Sequence, residues 1–214
     1  MKQDLSDKRM DYKQSEINFQ SILADPMQMF ANWYDEVQKS GAIAEPYAMH
    51  LSTVGVDGYP RSRVVLLKEF NELGYVFYTN YNSQKGKAIA KDPRVCLSFF
   101  WDKLERQVII KGLAEKLSHG QSEEYFNKRP FESQIGAIVS DQSSVIGFET
   151  DLSAESKILQ EEYKHRKICM PGHWGGYLVK ALEIEFWQGR PGRLHDRLRY
   201  KLESGRWLTE RLAP

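Results

Sequence analysis

Ile184-Glu185-Phe186-Trp187-Gln188-Gly189-Arg190-Pro191-Gly192-Arg193-Leu194-His195-Asp196-Arg197 is the stretch on which the reading of this chain turns. The alternation of Leu182, Ile184 and Phe186 predicts a half-buried strand. Gly189 to Gly192 is turn chemistry. A second strand opening at Arg193 puts Arg193, His195 and Arg197 on one face and Leu194 on the other, since side chains alternate with period two. That face has two readings. Arg, His and Arg together suit an anionic ligand with a titratable imidazole at its centre. A solvated strand edge guarded by cations accounts for the same residues.

Working outward, short strands recur. Ala48 to Val54 and Ser62 to Lys68 flank an Asp57-Gly58 hairpin signal. Tyr75 to Thr79 follows the turn Asn71 to Gly74. Arg94 to Trp101 and Gln107 to Leu117 join across Asp102-Lys103. Tyr177 to Phe186 precedes a last hairpin, Arg197 to Leu202 and Trp207 to Leu212, about Ser204-Gly205. Helices interrupt the strands. Asp25 caps a helix with Pro26 first and Met29, Phe30, Trp33 and Val37 at helical spacing. Ser83 caps Gln84 to Lys91, which Asp92-Pro93 stops. Gln121 to Asn127 is helical, and Ser153 caps Ala154 to Arg166, with Ile158, Leu159 and Tyr163 as an apolar stripe. Phe131 to Val139 reads either way. The expected fold is mainly β with flanking helices (α+β), a sandwich or barrel. Residues 1–20 are expected to be a mobile N-terminal segment, and 21–214 a single domain.

Composition narrows the function classes. Of 214 residues, 41% are apolar and 28% charged, which is ordinary for a globular protein. A net charge of +1 provides no field to attract nucleic acid or an acidic membrane. Cys96 and Cys169 make neither a disulfide framework nor a metal pattern, and Cys96, in an apolar run, is expected to be buried. No apolar run of about 18 residues predicts a membrane span. The polar N-terminus has no signal-peptide core, so the cytoplasm is the expected location.

Four polar constellations remain. In Arg61-Ser62-Arg63-Val64-Val65-Leu66-Leu67-Lys68, Lys68 closes an apolar strand, as a binding group or as a solubilising end. In Tyr78-Thr79-Asn80-Tyr81-Asn82-Ser83-Gln84-Lys85, a strand runs through a polar loop to a helix N-terminus, where free N–H groups hold phosphate. An ordinary N-cap accounts for Ser83 but not for the density of polar groups. Tyr125 and Arg129 share a face if that helix reaches Arg129, and with Ser133 they suit a second phosphate. Ser140-Asp141-Gln142-Ser143-Ser144 is a polar loop. No nucleophile–base pair or metal set accompanies them, so the hard chemistry is expected to belong to an organic cofactor.

Taken in order, these segments resemble the pyridoxine/pyridoxamine 5′-phosphate oxidase family. The resemblance is carried by Glu185-Phe186-Trp187-Gln188 with Arg193-Leu194-His195-Asp196-Arg197, Arg63 to Lys68, Phe77-Tyr78-Thr79-Asn80 and Glu105-Arg106-Gln107-Val108. Ser133-Gln134-Ile135-Gly136, Gln142-Ser143 and Arg211-Leu212-Ala213-Pro214 add to it. It implies an antiparallel FMN-binding split β-barrel that works as a homodimer with FMN at the interface. By resemblance, Arg63 and Lys85 hold the FMN phosphate, together with Ser83 and Gln84. Val64, Val65, Leu66, Lys68, Tyr78, Thr79, Gln107, Gln142, Ser143, Trp187 and Arg197 complete the cofactor site. Lys68, Tyr125, Arg129 and Ser133 bind the substrate phosphate. Arg193 and His195 are the catalytic pair over the substrate ring, and Arg9 and Tyr12 close over it. The implied substrates are pyridoxamine 5′-phosphate, pyridoxine 5′-phosphate and O₂, with no metal. Gln84 departs from the family's Arg or Lys, which implies weaker FMN retention. A relative acting on another small molecule, or a flavin-binding module without catalysis, are the alternative functions.

Overall fold

The computed structural model describes residues 3–8 and 11–214. It has five α-helices and nine strands among these residues: α1 Pro26–Ser40, β1 Ala48–Val54, β2 Pro60–Leu66, β3 Glu69–Asn71, β4 Gly74–Asn80, α2 Gln84–Lys91, β5 Arg94–Trp101, β6 Arg106–Lys116, α3 His119–Lys128, α4 Phe131–Val139, α5 Leu152–Tyr163, β7 Trp174–Gln188, β8 Asp196–Glu203 and β9 Arg206–Leu212. The strands form one antiparallel sheet in the order β2-β1-β5-β6-β7-β4-β3, with β8 on β7 and β9 on β8. The chain divides into two compact units, and β1, β5, β6 and β7 each run through both.

The first unit takes in the described residues of Met1–His50, with Leu97–Lys111 and Ala181–Pro214. Its helix α1 starts where expected. Asp25 accepts from the Met27 N–H at 2.8 Å, Pro26 fills the first position, and Gly41 ends the helix at φ 62°. The buried stripe of α1 is Phe30, Trp33 and Val37. Phe30 meets Phe99 at 5.3 Å, and Trp33 sits edge-on to Phe186 at 5.2 Å. Each such side chain contributes about 1.5–3 kcal/mol by leaving water. Truncating Trp33 to Ala is therefore expected to cost about 3–5 kcal/mol.

The second unit comprises Leu51–Cys96 and Gly112–Lys180. Its strand β4 is buried along almost its whole length, hence the continuous run Tyr75-Val76-Phe77 in place of alternation. It pairs with β7 in the register Tyr75↔Val179, Phe77↔Tyr177 and Thr79↔Gly175. Phe126, Ile135, Ile168 and Trp174 make a further cluster below α3 and α4.

Several expectations are corrected. Arg193 does not open a strand: it ends a one-turn helix, Pro191–Arg193, with Gly192 and Arg193 both at φ 63°. Strand β8 begins at Asp196, so Arg193, His195 and Arg197 share no strand face. Helix α5 is capped by Asp151, which accepts from the Ser153 and Ala154 N–H groups at 3.0 Å, and it stops at Tyr163. Leu159 and Tyr163 pack on the lower cluster, but Ile158 is 69% exposed. Phe131–Val139 is helical, and Cys96 is half-buried. Arg129 lies just past the end of α3 with extended backbone, since Pro130 excludes a helical conformation before it.

Candidate active site

The second unit contains a cavity of about 650 Å³. Val64, Val65 and Leu66 line it from β2, Tyr78 and Thr79 from β4, and Lys68 from the turn between β2 and β3. Lys85 enters from α2, Tyr125 and Arg129 from the end of α3, Ser133 from α4, and Gln142 from the loop beyond. The sequence therefore names most of this wall.

One corner is cationic. The Lys85 ammonium donates to Gln142 Oε1 at 3.1 Å, and the same oxygen accepts from Thr79 Oγ1 at 3.3 Å. Arg63 Nη1 donates to Leu51 O at 3.0 Å and to Thr53 Oγ1 at 2.9 Å. Neither cation makes an ion pair with a carboxylate among the described residues. Burial holds both below their ordinary range, and each feels a neighbouring cation as well: Lys85 feels Arg63, and Arg63 feels Arg61. Ser83 is buried and caps α2, accepting from the Gly86 N–H at 3.2 Å. A Cβ at Gly86 would lie 2.1 Å from Tyr81 O, so glycine there lets α2 start close to the loop. Gln84 accepts from Arg61 Nη1 at 3.0 Å, and its N–H donates to Ser143 Oγ at 3.3 Å. Arg61 thus brings another guanidinium to the helix start, paired on its far side with Asp57 at 2.5 Å.

A second part of the wall is aromatic. Tyr78 stacks on Tyr125 at 3.9 Å and on Trp174 at 5.4 Å, with interplanar angles of 15° and 12°. Burial pushes the Tyr78 phenol up to about 12 and raises Tyr125, so both stay neutral donors near pH 7. The Arg129 guanidinium lies 4.7 Å over Trp174. Its Nη1 is buried with no hydrogen-bond partner.

The first unit holds a pocket of about 680 Å³ lined by Tyr12, Gln107, Trp187, Arg193 and His195, with Phe100 and Arg190 beside them. Trp187 and His195 rings lie 4.6 Å apart, and Tyr12 sits 5.7 Å from Trp187 and 5.8 Å from His195. His195 Nδ1 accepts the Arg190 N–H at 3.1 Å, which leaves the neutral ring with its proton on Nε2. Burial, then the Arg193 charge, lower the His195 pKa against the pull of Asp196. Arg193 is exposed, and its left-handed backbone is uncommon outside glycine.

Buried Gln188 braces this pocket. It accepts from Arg106 Nε at 2.9 Å and donates to Leu104 O and Glu105 O at 3.2 Å each. Arg106 in turn stacks on Trp33 at 4.4 Å and pairs with Glu36 at 2.6 Å. The chain before the pocket is docked too: the Gln14 N–H donates to Glu105 Oε2 at 2.9 Å, the Ile17 N–H donates to Asp196 Oδ2 at 3.2 Å, and Glu16 pairs with Arg190. Gly189 seats Tyr12: a Cβ there would fall 2.7 Å from Tyr12 Cγ. Arg197 does not line the pocket. Glu185 takes its Nε and Nη2 at 2.8 and 3.1 Å, and Ala213 O takes its Nη1 at 2.8 Å. Arg9 lies outside the described residues.

Trp174, Arg61, Gln188 and Gly189 are among the residues here that sequence reasoning did not assign to a site. Arg61 had a local signal in its position next to Ser62-Arg63, and Gln188 in its place within Glu185-Phe186-Trp187-Gln188.

Comparison with known proteins adds independent findings. Residues 35–154 match the pyridoxamine 5′-phosphate oxidase family, and residues 174–214 match the pyridoxine 5′-phosphate oxidase C-terminal dimerisation region. The chain is 54% identical over 211 residues to the pyridoxine/pyridoxamine 5′-phosphate oxidase of Flavobacterium johnsoniae, covering 98% of this chain and 99% of that one. It is 47% identical to the enzyme of that name from Actinobacillus succinogenes, over 99% of this chain and all of that one. In fold it is similar to PhzG from Burkholderia lata, with a TM-score of 0.88 at 24% identity over 94% of this chain and all of that one. It is also similar to a pyridoxamine 5′-phosphate oxidase-related, FMN-binding protein from Nostoc punctiforme, with a TM-score of 0.70 at 13% identity, over 90% and 100%. The architecture is the antiparallel split β-barrel with flanking helices that the sequence led us to expect.

Proposed function

The chain belongs to the pyridoxamine 5′-phosphate oxidase family, and we propose that it oxidises pyridoxamine 5′-phosphate and pyridoxine 5′-phosphate to pyridoxal 5′-phosphate, with FMN as hydride acceptor and O₂ as final oxidant. The observation that carries this reading is the second unit's cavity. Its cations Arg63 and Lys85, and separately Arg129, make no ion pair with a carboxylate among the described residues. Half-buried cations without counter-charges are costly unless an anion arrives. Two such groups suit two phosphates, one on a cofactor and one on a substrate. The start of α2, capped by Ser83, adds N–H groups beside Lys85.

FMN fits this cavity by the chemistry of the donor set. Lys85 and Arg63 would hold its phosphate, and Thr79, Gln142 and the β2 backbone at Val64, Val65 and Leu66 would face its ring system. Bound there, FMN would supply the acceptor for the hydride from C4′, with O₂ as the final oxidant, reduced to H₂O₂. Lys68, Tyr125, Arg129 and Ser133 would anchor the substrate phosphate, with Tyr78 and Tyr125 donating as neutral phenols. Fixing the ring this way converts the reaction into an oriented, effectively intramolecular one. Arg193 would stabilise charge on the substrate, and neutral His195 would offer its Nε2–H as a donor beside it. The amine route ends with water releasing ammonia from the imine; the alcohol route gives the aldehyde directly. We assign the working unit as a homodimer with FMN at its interface, a reading supported by the match to a dimerisation region.

The test is aerobic assay of the purified protein with FMN and pyridoxamine 5′-phosphate. Aldehyde, ammonia and H₂O₂ should appear in equal amounts. A flavin-loaded protein that forms none of them would contradict the proposal.

A further inference from the structure

We propose that Trp174 is a positioning residue: its indole face holds the Arg129 guanidinium in place for the substrate phosphate. The inference rests on the functional reading above but makes its own claim. Arg129 has no helix to stiffen it. Its backbone is extended between α3 and Pro130, and its side chain meets no carboxylate among the described residues. A free arginine at a cavity wall samples many rotamers, and ordering it on binding weakens affinity. Here the guanidinium carbon lies 4.7 Å from the Trp174 ring centroid and 5.7 Å from that of Phe126, so the side chain already has a resting place against the rings.

Trp174 is itself held from several directions. It is 6% exposed. Tyr78 lies parallel to it at 5.4 Å, and Phe126 meets it edge-on at 5.1 Å. Its backbone is paired with Asn80 in the β4–β7 ladder, and its N–H donates to Pro171 O at 3.0 Å. The indole is therefore a fixed platform, and the cation–π contact passes that fixity to Arg129. The buried, unpartnered Nη1 fits this account, since the stack holds the donor where no protein oxygen reaches it. A charged donor in that condition is destabilising by itself, which the ring face offsets in part.

The experiment compares Trp174→Met, which keeps apolar volume without a ring face, with Trp174→Phe, which keeps a smaller face. Calorimetry on the flavin-loaded protein measures binding of pyridoxal 5′-phosphate and of pyridoxal. In Trp174→Met the affinity for pyridoxal 5′-phosphate should fall on the order of tenfold, with pyridoxal unmoved. Trp174→Phe should recover most of the loss, and Trp174→Met should add nothing in an Arg129→Ala background. Equal losses for both ligands, or additivity with Arg129→Ala, would overturn the inference. If Trp174→Met does not fold, as melting and flavin content would show, Trp174→Phe and its double variant with Arg129→Ala decide by the same additivity criterion. Turnover of pyridoxamine 5′-phosphate by the wild-type protein, with the Trp174 variants showing none of these effects, refutes the inference alone. A wild-type protein without turnover refutes the functional reading, and the ligand ratio still decides the role of Trp174.

Discussion

Two sets of cations, one in each unit, are treated in opposite ways. In the first unit, Arg197 is spanned by Glu185, Arg106 is paired with Glu36, and Arg190 with Glu16 and Asp196. In the second unit's cavity, Arg63, Lys85 and Arg129 have hydroxyl, amide, carbonyl or aromatic neighbours and no carboxylate partner among the described residues. A paired cation is already neutralised by its carboxylate. A half-buried cation without its counter-charge favours the arrival of an anion, and burial lowers the pKa of all three groups. The contrast separates residues that brace a pocket from residues that we propose bind phosphate.

Breaking the contrast should have graded effects. Arg193 is the cation of the first unit's pocket for which we propose a role at the reacting ring. Arg193→Ala should lower kcat on the order of 10²-fold, read by steady-state aldehyde formation. Arg129→Ala should raise KM for pyridoxamine 5′-phosphate by about 10- to 100-fold while flavin content stays normal, as loss of a charge-assisted contact to phosphate predicts. Arg61, half neutralised by Asp57, tests the intermediate case. Arg61→Ala should weaken FMN binding by only a few-fold in a flavin fluorescence titration, because exposed pairs are screened.

The mildest test is by pH. His195 binds a proton less readily in the fold than its ordinary value of 6.5 implies. Protonation therefore favours the unfolded chain: stability rises with pH between the folded and the ordinary pKa, is full above the ordinary value, and is lost as pH falls through that window. Protonated Nδ1 also cannot accept the Arg190 N–H. The acid limb of kcat/KM should accordingly lie below pH 6.5 and flatten in His195→Asn.

Local chemistry was legible in the sequence where it acts over a few residues. Asp25-Pro26 and Ser83 start α1 and α2 as their cap chemistry requires, and β1 runs from Ala48 to Val54 as its pattern indicates. Most of the second unit's cavity wall was named by a different route, the family resemblance carried by the motifs on β2, on β4 and after α3. Arg193 was misread because alternation assumes an extended backbone, and Gly192-Arg193 is left-handed. The Asp151 cap was missed because Ser153, two residues on, carries the same signal. Trp174 and Gly189 left no local trace: Trp174 meets Tyr78, Tyr125 and Arg129 only through tertiary packing, and Gly189 faces Tyr12 from the other end of the chain. Both roles depend on neighbours distant in sequence.

The central claim is that unpaired cations in the second unit hold phosphate while the first unit's pocket serves the reacting ring. Flavin occupancy of purified Lys85→Ala and Arg193→Ala, measured side by side by absorbance, tests it most directly. Lys85→Ala should be largely colourless and recover its turnover only with excess FMN, and Arg193→Ala should be fully yellow. A yellow Lys85→Ala protein, or a colourless Arg193→Ala protein, would contradict the account.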